Sequence, residues 1–157
     1  MNTELPLRPN VCMLVVNNDR KLFLGERFGR PGIWQFPQGG IEEGQTPEQA
    51  VVRELEEELG VRSDLVSIVT KLQATHQYRY NVTPPFSVGR WAGQSQTFWV
   101  VRFLGNDSDI QLDRHEQEFQ SFRWCTINEV ENSAEPIRLP GYKKPLQELR
   151  ALELVQD

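Results

Sequence analysis

The chain has 157 residues, a formal net charge of −5 and two cysteines, and this length suits one domain, 1–157, that buries a core without disulfides or structural metal. The acidic balance argues against a protein that gains affinity by neutralising many phosphates along an extended nucleic-acid groove, whereas a short polyphosphate end met through metal ions stays compatible. No apolar run approaches transmembrane length, and the opening MNTELPLRPN lacks a charged, apolar, small-residue signal architecture. A cytoplasmic protein without membrane contact is therefore expected. Cys12 and Cys125 have no neighbouring cysteine and read as buried free thiols. The sequons at Asn81 and Asn106 then read as chance matches. Oligomeric state is not encoded in any local pattern, and a homodimer is allowed.

In chain order, Val11 to Val16 is a continuous β-favouring run that predicts a buried strand, stopped by Asn17, Asn18 and Asp19. Lys21 to Glu26 is expected as its hairpin partner. A loop rich in glycine and proline leads into Trp34-Gln35-Phe36-Pro37-Gln38-Gly39-Gly40, where Pro37 and the glycines fix a turn and allow backbone to approach phosphate or metal. Trp34 and Phe36 fit core packing as well as a site. Thr46 as N-cap, Pro47 in the first helical position, Gln49 completing a capping box and Gly60 as stop predict a helix between them. Asp64 to Lys71 reads as a strand, with a weaker continuation over Gln73 to Tyr80. Asn81 to Gln96 carries Pro84, Pro85, Gly89 and Gly93 and is expected as a substrate-side loop. Its neighbourhood offers Tyr78, Tyr80, Phe86 and Trp91 for base stacking or packing, and Arg79 and Arg90 for phosphate. Gln94 to Leu104 predicts a central strand, Asn106 to Asp109 a turn, Asp113 to Gln120 an acidic loop, and Ser121 to Cys125 another strand. Thr126 with Glu129 predicts a short capped helix, and Pro145, Leu146, Leu149 and Leu152 a C-terminal amphipathic one. Lys143 and Lys144 read as a solvated pair or phosphate contacts, and Tyr142 as a stacking candidate.

Within the predicted helix, Val52, Leu55 and Leu59 fall on one side and Glu54, Glu57 and Glu58 on the other. Like charges at these spacings cost an isolated helix roughly 0.2–0.5 kcal/mol per pair. A solvated acidic face is the plain account of such a cluster. A hard divalent cation is the chemical one, because Mg²⁺ and Mn²⁺ take oxygen ligands and Mg²⁺ combines one or two carboxylates with substrate phosphates.

Gly39, Arg53, Glu54, Leu55, Glu57, Glu58, Gly60 and Val61 together resemble the Nudix box: a Gly, five residues, a Glu, seven residues, then REUxEExGU with U aliphatic. Gln45 departs from it, standing where the box has its first Glu and keeping a hydrogen-bonding amide without the charge. RPNV around Arg8, WQFPQGG and Gly93-Gln94-Ser95-Gln96 resemble the bacterial subgroup of RNA 5′-pyrophosphohydrolases and dinucleoside polyphosphate hydrolases. The resemblance implies an α/β/α sandwich with a mixed curved sheet and a loop-helix catalytic box. It also implies metal-dependent hydrolysis of a nucleoside-linked polyphosphate, with Mg²⁺ or Mn²⁺ at Glu54, Glu57, Glu58 and Gly39, and Arg53 orienting Glu57. Glu118, directly before Phe119 and six residues ahead of Trp124, matches a subgroup Glu that approaches the metals as ligand or base. His115 is a rival base of lower rank, since metal-activated water needs no histidine. Arg8, Arg27, Gln38, Tyr80 and Gln94 are the expected substrate contacts. The leading substrates are a 5′-triphosphate RNA end or a dinucleoside polyphosphate. The alternatives are a pyrophosphatase for nucleoside triphosphates or nucleotide sugars, and an inactive nucleotide-binding module motivated by Gln45.

Overall fold

The computed structural model describes residues 4–157, so the first three residues of the opening segment considered above for a signal lie outside the described residues. Strand β1 (Leu7–Val16) runs through the middle of a seven-stranded mixed sheet. Its side chains alternate between two cores, as the period of two requires. Cys12, Leu14 and Val16 enter one apolar layer, and Val11, Met13 and Val15 enter the other. A run apolar at every position is what a strand covered on both faces needs.

Strand β2 (Leu22–Arg27) meets β1 at a single antiparallel pair, Val16 with Leu22. The expected hairpin therefore ends almost as it starts. Strands β3 (Trp34–Gln35) and β4 (Gln38–Gly40) follow, and β4 takes the β1 edge from Asn10 to Cys12 that a full hairpin would have occupied. The helix α1 (Pro47–Leu59) comes next, then β5 (Val66–Arg79) and β6 (Gly93–Phe103). Along its whole length β1 pairs in parallel with β6, from Leu7 opposite Gly93 to Val16 opposite Arg102. Strand β7 (Phe119–Cys125) is the main partner of β2. Helices α2 (Ile127–Ser133) and α3 (Leu139–Leu152) complete the chain.

The first core layer lies under α2 and α3 and includes Phe98, Val100, Ile127, Val130, Leu146 and Leu149. The second lies under α1 and includes Ala50, Val51, Leu55, Leu59, Trp99 and Val101. Helix, sheet and helix thus form the expected α/β/α layers. On α1 the packing valine is Val51, with Val52 only partly buried.

Two further differences have local causes. Asp64 to Lys71 and Gln73 to Tyr80 form one strand, β5, interrupted by register shifts between Ile68 and Thr70 and between Lys71 and Thr75. The Glu148 carboxylate of α3 accepts the backbone N–H groups of Gln73 and Ala74 that the second bulge frees. Helix α3 begins at Leu139, six residues before the expected Pro145, which sits inside it, and Leu152 stays 49% exposed. No helix among the described residues is long and apolar enough to cross a membrane.

Candidate active site

Local hydrogen bonding fixes the start of α1. The Thr46 hydroxyl accepts the Gln49 N–H at 3.1 Å, and the Gln49 side chain accepts the Thr46 N–H at 2.9 Å. Such a cap is worth about 1 kcal/mol. Gly60 ends the helix in the left-handed region at φ 67°. Before the helix, the Gln45 amide oxygen accepts the Glu42 N–H at 3.1 Å while the Gln45 N–H donates to the Glu42 carbonyl at 3.0 Å. The residue that departs from the box therefore pins a turn and does not line the carboxylate cavity. Gly39 and Gly40 leave room for two side chains. A Cβ at Gly39 would strike the Glu54 carboxyl, and one at Gly40 would strike the Arg8 guanidinium.

Arg53 organises the carboxylates from behind. Its guanidinium reaches Glu54 at 2.9 Å, Glu57 at 3.2 Å and Glu42 at 3.4 Å, and donates to the Gly40 carbonyl at 3.1 Å. Burial alone would lower the Arg53 pKa, but Glu54 and Glu57 outweigh it and hold the charge in place. Glu58 points inward and is only 4% exposed, so the helix does not present all three acids to solvent. Burial, then the nearby Glu54 and Glu118 charges, push its pKa well above the ordinary carboxylate value, against the Gln38 backbone N–H that hydrogen-bonds to it. Its Oε2 atom has no hydrogen-bond partner among the described residues. Burial also raises Glu54, partly offset by Arg53. In this arrangement no three acidic, histidine or cysteine side chains among the described residues converge at metal-ligand geometry. Arg53 pairs with both Glu54 and Glu57 in this arrangement.

Glu54, Glu57 and Glu58 form one wall of a cavity of about 440 Å³. Arg8 on β1, Arg27 at the end of β2, Gln38 and Gly39 on β4, Gln94 on β6, and Tyr80 and Glu118 in loops line the same space. Ten of the eleven residues expected at the site thus meet in one cavity, with Arg53 behind it. A register shift between Glu26 and Arg27 re-aims the end of β2. Arg27 then reaches Gln35 at 3.1 Å. Glu118 is held nearby through its carbonyl, which accepts the Phe28 N–H at 2.9 Å. Beneath the cavity, Gln96 donates to Asn10 at 3.1 Å and Asn10 to Gln38 at 2.7 Å, a polar ladder that sets the Gln38 side chain. Tyr78 and Phe86, stacking candidates in the sequence, also line the cavity.

Arg138 was missed. It enters from the turn before α3, where it pairs with Glu135 at 3.2 Å. No local motif around PIRLPGYKK signals it. Other candidates lie elsewhere. Tyr142 is buried, its hydroxyl accepting the Phe36 N–H at 3.2 Å and its ring 4.6 Å from the fully buried Phe36. Trp34 packs against the first core layer, with Arg123 4.2 Å from its ring. Arg79 pairs with Glu4 at 2.8 Å, Arg90 lies 5.8 Å from the Trp91 ring, and neither lines this cavity. His115, Lys143 and Lys144 are exposed outside it.

Comparison with known proteins agrees with this geometry. The NUDIX domain family matches residues 6–148. The RNA pyrophosphohydrolase of Sphingopyxis alaskensis is 35% identical over 155 residues, covering 95% of this chain and 96% of that protein. The RNA pyrophosphohydrolase of Wolbachia pipientis subsp. Culex pipiens is 33% identical, covering 97% and 94%. Among solved structures, a C. elegans Ap4A hydrolase superposes with a TM-score of 0.63 at 19% identity, covering 92% of this chain and 97% of that one. The E. coli dihydroneopterin triphosphate pyrophosphohydrolase gives 0.66 at 15% identity, covering 93% and 99%. At those identities the structures speak for the fold alone. A match spanning nearly the whole chain, together with relatives above 30% identity, shows that this chain belongs to the Nudix hydrolase family.

Proposed function

We propose that the chain removes pyrophosphate from the 5′-triphosphate end of RNA by water attack at phosphorus, leaving a 5′-monophosphate. The observation that carries this reading is a single cavity lined both by the carboxylates of α1 and by Arg8, Arg27 and Arg138. That combination suits a polyphosphate held by metal ions and guanidinium groups together. The names of the two relatives favour an RNA end over a free nucleotide.

Glu54, Glu57, Glu58 and Glu118, beside the close backbone of Gly39, are the residues we assign to Mg²⁺ or Mn²⁺. The fit rests on an all-oxygen donor set and on the unpartnered Oε2 of buried Glu58. Such an ion, when bound, neutralises polyphosphate oxygens and lowers the pKa of a water. Arg53 pairs with both Glu54 and Glu57 and holds them beside the cavity. Glu118 accepts the proton of the attacking water at its carboxylate. Arg8, Arg27 and Arg138 donate to phosphate oxygens, Gln38 and Gln94 offer amides, and Tyr80 and Tyr78 offer faces to the first nucleoside. The free, buried Cys12 and Cys125 suit the reducing cytoplasm we assign to the protein.

Asymmetric cleavage of dinucleoside polyphosphates is the second reading, favoured by the flanks of the cavity. A space of about 490 Å³ adjoins it through Tyr78 and Arg138, and another of about 790 Å³ through Arg8 and Phe86. Each is within the range of small-molecule sites. Product analysis in Mg²⁺ with a 5′-triphosphate RNA, a diadenosine polyphosphate and a free nucleoside triphosphate separates the readings, with Glu57→Gln as control. Pyrophosphate and 5′-monophosphate RNA are expected. Preferred turnover of the dinucleotide would favour the second reading, and silence on all three substrates would defeat both.

A further inference from the structure

We propose that Phe86 is a positioning residue for Arg8, holding its guanidinium by the face so that its N–H groups stay available to phosphate; this rests on the reading of the cavity given above. Phe86 sits in the segment between β5 and β6, which is tied down at several points. The Tyr80 N–H donates to the Ala92 carbonyl and the Ala92 N–H to the Pro6 carbonyl, each at 2.9 Å. Within the segment, the N–H groups of Arg90 and Trp91 both donate to the Ser87 carbonyl at 2.9 Å. Ser87 is fully buried, and its hydroxyl donates to the Tyr80 hydroxyl at 3.2 Å. The turn bearing Phe86 is therefore keyed to a residue of the cavity itself.

Phe86 is 53% exposed and belongs to neither apolar layer, so core packing does not account for it. Its ring centre lies 5.0 Å from the Arg8 guanidinium carbon, within the range of a cation–π contact. Gly40 also lies against that guanidinium, so close that a Cβ there would collide with it. Backbone and ring thus confine the group, and neither accepts a strong hydrogen bond from it. No carboxylate among the described residues lies within ion-pair distance of Arg8.

Arg53 shows the opposite arrangement, with both of its terminal amino groups committed to Glu42, Glu54, Glu57 and the Gly40 carbonyl and only its Nε without a partner among the described residues. A guanidinium fixed by carboxylates becomes scaffold. One fixed by an aromatic face keeps its full charge and its five donors for an incoming anion.

The test compares Phe86→Ala, Phe86→Leu and Phe86→Tyr in the full chain, alone and with Arg8→Ala. The readouts are KM and kcat on 5′-triphosphate RNA and, without turnover, calorimetric binding of inorganic tripolyphosphate in Mg²⁺. Phe86→Ala is expected to raise KM and the tripolyphosphate Kd about three- to tenfold, with kcat within about twofold. Tyr should restore binding and Leu should not, and Phe86→Ala should add nothing once Arg8 is Ala. Recovery with Leu equal to that with Tyr, a fall in kcat at constant KM, or additivity with Arg8→Ala would each overturn the role. If Arg8→Ala weakens tripolyphosphate while Phe86→Ala is silent, only the Phe86 assignment falls. If Arg8→Ala is itself silent, the phosphate role of Arg8 falls, and that of Phe86 with it.

Discussion

The two walls of the cavity are held in opposite ways. Three acids of one wall come from two turns of a single helix, and their mutual repulsion is contained by one arginine from the same helix, Arg53, and by the burial of Glu58 in a protonation-prone state. The arginines of the other wall come from β1, from the end of β2 and from the turn before α3. Each has its own holder: Phe86 for Arg8, Gln35 for Arg27, Glu135 for Arg138. The acidic wall is thus a cooperative unit that carries a standing electrostatic cost, while the basic wall is an assembly of independently anchored groups. Substitutions should therefore couple strongly on the first wall and act nearly additively on the second.

The largest effect should come from Glu57, the most exposed of the three helix acids and one of the two bonded to Arg53. Glu57→Gln keeps the shape and removes the charge. Steady-state pyrophosphate release in Mg²⁺ should show kcat lowered about 10³-fold, the range for losing charge stabilisation aimed at a transition state. A loss below about tenfold would mean that this wall is a solvated surface and not the metal side of the site.

Glu58→Gln should separate function from stability, because the same burial serves one and opposes the other. Activity should fall by about 10² or more, while the metal-chelated protein becomes more stable near neutral pH by about 0.5–2 kcal/mol. The direction follows from the raised pKa. A carboxyl favoured in its neutral form contributes stability that is complete below the ordinary value of 4.5 and is lost as pH rises through the raised folded value. Glu54 acts in the same direction. Thermal melts in chelator should therefore decline from mildly acidic toward neutral pH in the native chain and decline less in Glu58→Gln. A variant that melts lower than the native chain at neutral pH would show that Glu58 is held as a stabilising anion.

How much of each wall could be read from sequence follows the same division. Thr46, Pro47, Gln49 and Gly60 act over one turn of helix, so the bounds and caps of α1 were legible, as were Glu54, Glu57 and the cramped Gly39. Glu58 was legible as an acid but not as a buried one, since the depth of a side chain depends on what the sheet places opposite it. The packing choice between Val51 and Val52, adjacent on the helix, was lost for the same reason. The departure of β2 from its hairpin depends on β4 and β7, strands that follow it in the chain. The unity of β5 depends on Glu148, 75 residues from Gln73. Arg138 became part of the site through the placement of a turn that no nearby residue announces. What local hydrogen bonding fixes was readable, and what distant contacts fix was not.

On the basic wall, Arg27→Ala should raise KM for the RNA substrate about tenfold with kcat within about threefold, as expected for a charged hydrogen bond to substrate lost equally from ground and transition states. Combined with Arg138→Ala, the losses should multiply. A cooperative loss, in which the second substitution costs nothing, would mean that these arginines form one unit like the acids of α1.

The smallest effect should come from the residue that departs most visibly from the family pattern. Gln45 supplies a neutral acceptor to the Glu42 N–H and a backbone donor to the Glu42 carbonyl, outside the carboxylate cavity. Glutamate has the same acceptor at the same reach, so Gln45→Glu preserves the turn. The added charge falls beside Thr46 at the start of α1, where the helix dipole favours an anion by about 0.3–1 kcal/mol. The expected outcome is a melting temperature unchanged or slightly higher and a kcat/KM within about twofold of the native chain. A rise of tenfold or more would show that this position reaches the metal side in the working enzyme. The acidic wall would then extend beyond the helix into the loop before it.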